Sequence, residues 1–229
     1  MATLILLRHG LSVWNKENIF TGWTDVPLAP EGEEESRRAG IVMKEAGLKP
    51  DIWFTSYLER AIMTGVLALK EMGRLWIPCE KHWRLNERHY GALQGRNKDE
   101  VRKEVGEEQF WAWRRGYDTP PPPLDWNDPR HPRFDEKYKN VPPELLPSTE
   151  SLKDTIERVL PYWRERIIPE LRAGKTVLVV AHGNTLRGII MELDDLTPDE
   201  VRRLEVPVAR PIVYEFDENM KIREKYALE

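Results

Sequence analysis

The chain has 229 residues, 40% hydrophobic and 32% charged, with 35 Lys and Arg against 39 Asp and Glu for a formal charge of −4. That length is enough to bury one substantial core, and charges of both signs interspersed along the chain argue against a nucleic-acid partner, which would call for a basic face. A single cysteine, Cys79, excludes an internal disulfide and a cysteine-based zinc site. No stretch nears the roughly 20 apolar residues of a membrane span. The apolar run in the opening MATLILLRHG is too short for a signal peptide, so a cytoplasmic location is expected.

Taken in chain order, Thr3 to Leu7 is continuously apolar and stops at Arg8-His9-Gly10, the pattern of a central strand buried on both faces. Pro30 opens a charged helix reaching Ala46, and Asp51 to Thr55 reads as a short strand. From Leu58, the residues Ala61, Ile62, Val66, Leu69 and Met72 recur at helical spacing and place Arg60 in the first turn. Lys98 to Val105 and Gln109 to Trp113 predict two short helices around Gly106. Nine of the 18 prolines fall between Thr119 and Ser148, so residues 117–148 cannot be ordinary helix or central strand. A long irregular segment of this kind is functional or disordered, and a lid over a pocket is one reading. Ser148 or Thr149 is expected to cap a helix running to Arg172. Lys175 to Ala181 is a second buried strand ending in a histidine, His182, followed by Gly183-Asn184 and a helix. Pro211 to Phe216 is a last strand, and residues 218–229 read as a charged tail. This alternation predicts a single α/β domain over residues 1–229. Its expected architecture is a three-layer sandwich, with a mostly parallel central sheet covered by helices on both faces.

His9 and His182 share one arrangement, an apolar strand followed by histidine, glycine and a polar turn. Ligand sites in such sheets form at the carboxyl ends of strands, so both imidazoles are expected at one edge. Either histidine alone could be an ordinary strand-end residue. Arg8 beside His9 adds chemistry, because a guanidinium fork matches phosphate oxygens and a neutral imidazole is a competent nucleophile towards phosphorus. Arg8, Arg60, Asn15 and His182 are the candidate donors to a transferring phosphoryl group, with backbone amides at Gly10, Gly22 and Gly183. The histidines show no recognised zinc spacing, so no metal is implied. His82 and His89 are expected to be structural or rim groups and His131 exposed. The nine tryptophans read as packing residues. Gly174-Lys175-Thr176 precedes a strand where a phosphate-binding loop would follow one, and is set aside.

The segments LLRHGLSVWNKENIFTGWTDVPL, TSYLERA, LNERHYGALQG, WRRGYDTPPPPL and VAHGNTLRG, collinear over nearly the whole chain, together resemble the 2,3-bisphosphoglycerate-dependent phosphoglycerate mutases of the histidine phosphatase superfamily. The resemblance implies a phosphoglycerate mutase-like fold. It also implies an isomerase that interconverts 3-phosphoglycerate and 2-phosphoglycerate, in glycolysis and gluconeogenesis, through phosphohistidine and a 2,3-bisphosphoglycerate intermediate. On that basis His9 is the nucleophile, His182 its partner and Glu87 the proton shuttle, with Arg8 and Arg60 also catalytic. Tyr90, Lys98, Arg114 and Arg115 correspond to groups that hold the carboxylate and distal phosphate. Ser12, Asn15, Thr21 and Gly22 complete the phosphate pocket, and Gly183 and Asn184 add substrate contacts. The implied cofactor is 2,3-bisphosphoglycerate as phosphoryl primer, the partners are small phosphoglycerates, and relatives are commonly homodimers or homotetramers. Two departures stand out: Leu11 follows Arg8-His9-Gly10 where the family has a polar residue, and Val206 to Arg210 replaces a segment with a Thr-Gly pair. The competing readings are a phosphatase of the same superfamily, in which water accepts the phosphoryl group, and a catalytically silent binding protein on the same fold.

Overall fold

The first apolar run forms strand β1 (Ala2–Arg8), which lies inside a six-stranded sheet in the computed structural model, describing residues 1–229. The remaining strands are β2 (Ile52–Thr55), β3 (Cys79–Lys81), β4 (Thr176–Ala181), β5 (Ile212–Phe216) and β6 (Ile222–Ala227). Their order is β3-β2-β4-β1-β5-β6. The β1/β4, β2/β4 and β2/β3 pairings are parallel, and β5 and β6 add antiparallel pairings at one side.

Alternation along the central strands divides the core in two. Ile5, Leu7, Trp53, Leu178 and Val180 face α2 (Pro30–Glu45) and α3 (Glu59–Glu71). Leu4, Leu6, Phe54, Val177 and Val179 face the opposite layer. That layer holds α6 (Leu152–Tyr162), α7 (Ile168–Arg172) and α8 (Gly183–Asp194). A strand buried on both faces has to be apolar at every position, which is why these runs carry no polar alternation. The smaller helices are α1 (Val13–Lys16), α4 (Lys98–Val105), α5 (Glu107–Arg115) and α9 (Pro198–Arg203).

Several expectations change. The helix expected from Ser148 or Thr149 starts later, with Ser151 as its cap and Asp154 closing a capping box. The two earlier hydroxyls are engaged elsewhere: the Thr149 hydroxyl donates to the Pro121 carbonyl, and Ser148 Oγ pairs with His131 Nε2 at 2.8 Å. That bond and a position 1% exposed make His131 a buried residue, not the exposed one expected. α6 and α7 are joined by a π-helical turn, Trp163–Ile167, between Pro161 and Pro169, neither of which can donate an amide proton. The charged tail is the edge strand β6, and β3 was not anticipated at all; Cys79-Glu80-Lys81 has no apolar pattern and exists because β2 offers an open edge. Residues 117–148 carry three single-turn 3₁₀ helices and return against the chain at Gly91, where the Pro122 carbonyl accepts the Ala92 amide at 2.8 Å.

Candidate active site

The site follows from one register. Arg8 stands opposite Ala181 across the parallel β1/β4 pair, so the next residue on each strand is a histidine and the two imidazoles arrive side by side. Their ring centroids are 5.1 Å apart. His9 Nδ1 lies 2.6 Å from the Gly10 carbonyl oxygen. A carbonyl can only accept, so Nδ1 carries the proton and Nε2 keeps its lone pair. Burial first, and then the Arg60 and Arg8 charges, hold the His9 pKa well below its ordinary value, which leaves the ring neutral at pH 7. His182 is equally buried and its pKa is lowered by burial, Arg60 and His9.

The partner of His182 is a residue that sequence reading passed over. Thr55 pairs with Val180, which brings Ser56, the residue after β2, to the level of the histidines. Ser56 Oγ is 2.8 Å from His182 Nε2 and already accepts the Leu58 amide at 3.1 Å. When that hydroxyl donates its proton to Nε2, the proton of the neutral His182 ring sits on Nδ1, which has no partner within the protein.

Arg60, 1% exposed in the first turn of α3, reaches under the adjacent loop and donates to the carbonyls of Gly22 at 2.7 Å and Thr24 at 3.0 Å. Burial is the largest influence on this guanidinium and lowers its pKa to about 10, so it stays charged at neutral pH. Gly22 has φ +53°, and a Cβ there would sit 2.1 Å from Gln94 Oε1, so any other residue would be strained in this turn and would displace Gln94. Asn15, Thr21 and Gly22 line the cleft with Arg8, His9 and Arg60. Ser12 does not: it is fully buried and caps α1, its Oγ accepting the Asn15 amide at 3.0 Å while Asn15 Oδ1 accepts the Ser12 amide at 3.1 Å. The Gly10 amide is also spent inside the protein, on Thr64 Oγ1 at 3.1 Å.

Glu87 sits on the irregular loop after β3, and its Oε1 accepts amide protons from Arg88 at 2.7 Å and Asn184 at 3.3 Å. Its backbone is fixed from behind. Arg158 of α6 donates to the carbonyls of Arg84, Asn86 and Glu87 and forms a buried ion pair with Glu150 at 2.7 Å. Trp23 Nε1 donates to the same Glu87 carbonyl. Tyr90, three residues on, faces Asn184. At the far side, α5 is longer than expected, so Arg114 and Arg115 occupy its last turn, where cations are favoured. The Arg88 guanidinium donates to the Trp113 and Arg114 carbonyls and thereby ties this helix end to the Glu87 loop. Lys98 opens α4 and points into the same cleft; burial and the Arg114 and Arg115 charges lower its pKa to about 8.

The cleft and its open mouth together take in about 650 Å³. Phe20 and Tyr90 are its only hydrophobic lining residues, and six cations, Arg8, Arg60, Lys98, Arg114, Arg115 and Arg187, face two carboxylates, Glu87 and Glu205. Such a lining selects a small polyanion. The structure thus gathers every expected site residue except Ser12, His182 and Gly10 on the cleft surface, with His182 fully buried beside His9. Arg187, Glu205 and Phe20 were not expected. Arg187 lies four residues after Gly183 on α8, one turn along the same face, a spacing already present in VAHGNTLRG. The departing segment after α9 wraps Arg8: the Val206 carbonyl accepts Arg8 Nη1 at 2.8 Å, and the Ala209 amide donates to the Arg8 carbonyl at 3.0 Å.

The sequence matches the histidine phosphatase superfamily (branch 1) over residues 4–129 and 125–227. It is 56% identical over 229 residues, 100% of both chains, to a 2,3-bisphosphoglycerate-dependent phosphoglycerate mutase of Nautilia profundicola. A protein of the same description from Thermobifida fusca is 54% identical over 97% of this chain and 90% of its own. Among solved structures, a mycobacterial glucosyl-3-phosphoglycerate phosphatase superposes with a TM-score of 0.72 at 22% identity, covering 98% of this chain and 96% of that one. Bacillus stearothermophilus YhfR does so with 0.72 at 24% identity, over 97% and 95% of the two chains. These two likenesses establish the shared fold.

Proposed function

Because this chain belongs to the 2,3-bisphosphoglycerate-dependent phosphoglycerate mutases of the histidine phosphatase superfamily, we propose that it interconverts 3-phosphoglycerate and 2-phosphoglycerate, with His9 carrying the phosphoryl group and 2,3-bisphosphoglycerate as the intermediate. The observation that carries this reading is the neutral His9, tied through Nδ1 to Gly10, in a cleft walled by six cations. The donor set suits a primer with two phosphates and a carboxylate, since cations stand both beside His9 and at the far side of the cleft. Bound 2,3-bisphosphoglycerate supplies the first phosphoryl group to the enzyme.

His9 Nε2, oriented by the Gly10 carbonyl, is placed to form a bond to phosphorus with its free lone pair as the donor's ester O–P bond breaks, the leaving oxygen taking up a proton from the Glu87 carboxyl. Arg8, Arg60 and the unpartnered His182 Nδ1 proton neutralise charge on the equatorial oxygens. When a substrate hydroxyl attacks phosphorus, the new O–P bond forms as the Nε2–P bond breaks, and the electron pair returns to Nε2. The hydroxyl proton passes to the Glu87 carboxylate, which returns it in the reverse transfer. Lys98, Arg114, Arg115 and Tyr90 hold the remaining anionic groups, with Asn15, Thr21, Gly22, Gly183 and Asn184 around them; Ser12 acts through Asn15. The proline-rich segment 117–148 is read as a lid carried on the Gly91–Ala92 contact, excluding water as a mutase requires.

Cytoplasmic residence and assembly as a homodimer or homotetramer belong to the same reading; no helix is long and apolar enough to cross a membrane. The test is incubation with 2,3-bisphosphoglycerate, detection of an acid-labile phosphoryl group on His9 by mass spectrometry, and a parallel isomerase assay. Phosphorylation with rapid isomerisation is expected. Phosphorylation with release of phosphate alone would make the protein a phosphatase, and no adduct would refute both.

A further inference from the structure

Arg187 is 5% exposed and has no carboxylate partner. Two of its nitrogens are committed: Nε donates to the Leu204 carbonyl and Nη1 to Asn184 Oδ1, each at 2.8 Å. These bonds lock the guanidinium plane. The third nitrogen, Nη2, makes no hydrogen bond within the protein, and the side chain lines the cleft. Gly183 separates it from Arg8, since a Cβ there would lie 3.5 Å from Arg8 Cζ and 3.7 Å from Arg187 Nη1. Two guanidinium groups therefore flank one glycine, and Arg187 occupies the stretch between the phosphoryl-transfer end and Arg115.

A buried, immobilised cation among other cations is unfavourable unless an anion completes it. Burial and then the Arg115 charge lower its pKa, opposed in part by the Tyr90 and Glu87 charges. Glu205 does not relieve it: that exposed carboxylate pairs with Arg115 at 3.7 Å. From this geometry we propose that Arg187 is a further substrate-binding residue, donating Nη2 to an oxyanion of the phosphoglycerate other than the phosphoryl group in transfer. The inference deepens the mutase reading and rests on it for the identity of the ligand. Two groups share the required chemistry, the carboxylate and the non-transferring phosphate.

The test measures dissociation constants by calorimetry for 3-phosphoglycerate, for glycerol 3-phosphate, which lacks the carboxylate, and for glycerate, which lacks the phosphate. Arg187→Gln is expected to weaken 3-phosphoglycerate binding about 10- to 100-fold, the range for a lost hydrogen bond between charged groups. If the carboxylate is the partner, glycerol 3-phosphate binds as in the wild type and glycerate is weakened; if the phosphate is, the pattern reverses. Arg187→Lys retains the charge without the fork and is expected to lose less, with the same ligand pattern, and it serves alone should the glutamine variant not fold. Wild-type affinity for 3-phosphoglycerate in the folded variants would overturn the proposal. So would equal losses for all three ligands with a lowered thermal midpoint, which would make Arg187 a brace for Leu204. Because binding is read without turnover, a wild-type protein that binds but does not isomerise would refute the mutase reading and leave the Arg187 assignment standing.

Discussion

At Ser56 a single hydroxyl is the hydrogen-bond partner of His182 Nε2. In the phosphoryl-transfer reading this hydroxyl donates to Nε2 while it accepts the Leu58 amide, so that His182 presents Nδ1–H as a donor. Ser56→Ala is expected to lower kcat about 10-fold, the scale of one hydrogen bond in a buried site. KM should stay within about twofold, because Ser56 touches no substrate. Imidazole ¹⁵N shifts should show His182 passing to a mixture of tautomers, and an unchanged tautomer with unchanged kcat would refute the assignment. Lys98 makes a second residue-level prediction. Its pKa of about 8 in the free protein means that it loses its charge, and with it anion affinity, as pH rises above 8. kcat/KM reports the free enzyme and should fall on that side. Lys98→Arg keeps its charge and should remove this limb between pH 7 and 9.5. Lys98 was legible because it opens a helix expected from Lys98 to Val105 and the family resemblance assigns it to the anion-binding groups. Ser56 was not, because a serine after a short strand carries no signal until the β2/β4 register places it beside His182.

Among the elements, β1 and β4 position both histidines through equal endings, and α5 positions Arg114 and Arg115 through its last turn. The segment after α9 is where local preference and position conflict. Ala209 adopts φ +51° while its amide holds the Arg8 carbonyl. A left-handed conformation costs a residue with a Cβ about 1–2 kcal/mol, and glycine offsets part of its own gain through a freer unfolded chain. Ala209→Gly is therefore expected to raise stability by roughly 0.5–1 kcal/mol in urea unfolding; a decrease would mean that the alanine methyl makes a compensating contact. The departure from the family's Thr-Gly pair was legible as a sequence difference. Its consequence was not, since only the fold shows that Val206 and Ala209 enclose Arg8.

For the whole molecule, a net charge of −4 coexists with a cleft carrying six cations and two carboxylates. Overall charge therefore says little about the ligand's sign, and the local excess decides it. The histidines add a pH response. His9, His89 and His182 are fully buried and their pKa values are lowered, with burial the largest cause and His89 reaching about 3. Below pH 6.5 the unfolded chain binds protons that the native state refuses, so stability must fall as pH falls and gain nothing further well above pH 7. Each such histidine contributes up to about 1.4 kcal/mol per pH unit, about 4 for the three. Urea unfolding at pH 7.5, 6 and 5 should show this steepening, and equal midpoints at pH 7.5 and 5 would refute it.

The sequence by itself determined the layered α/β class, the central strands and their histidines, and Arg8 and Arg60 beside them, while the family resemblance added Glu87, Lys98, Arg114 and Arg115. Those features are local: continuous apolar runs, helical spacing, and motifs whose residues lie within a turn of one another. The fold alone decided that Ser12 braces Asn15, that His131 is buried, that the last strand is an edge, and that Ser56 and Arg187 belong with the site. Each of those depends on a partner far away in the chain, and hydrogen-bond partners across a sheet or between helices leave no periodicity in the sequence that supplies them.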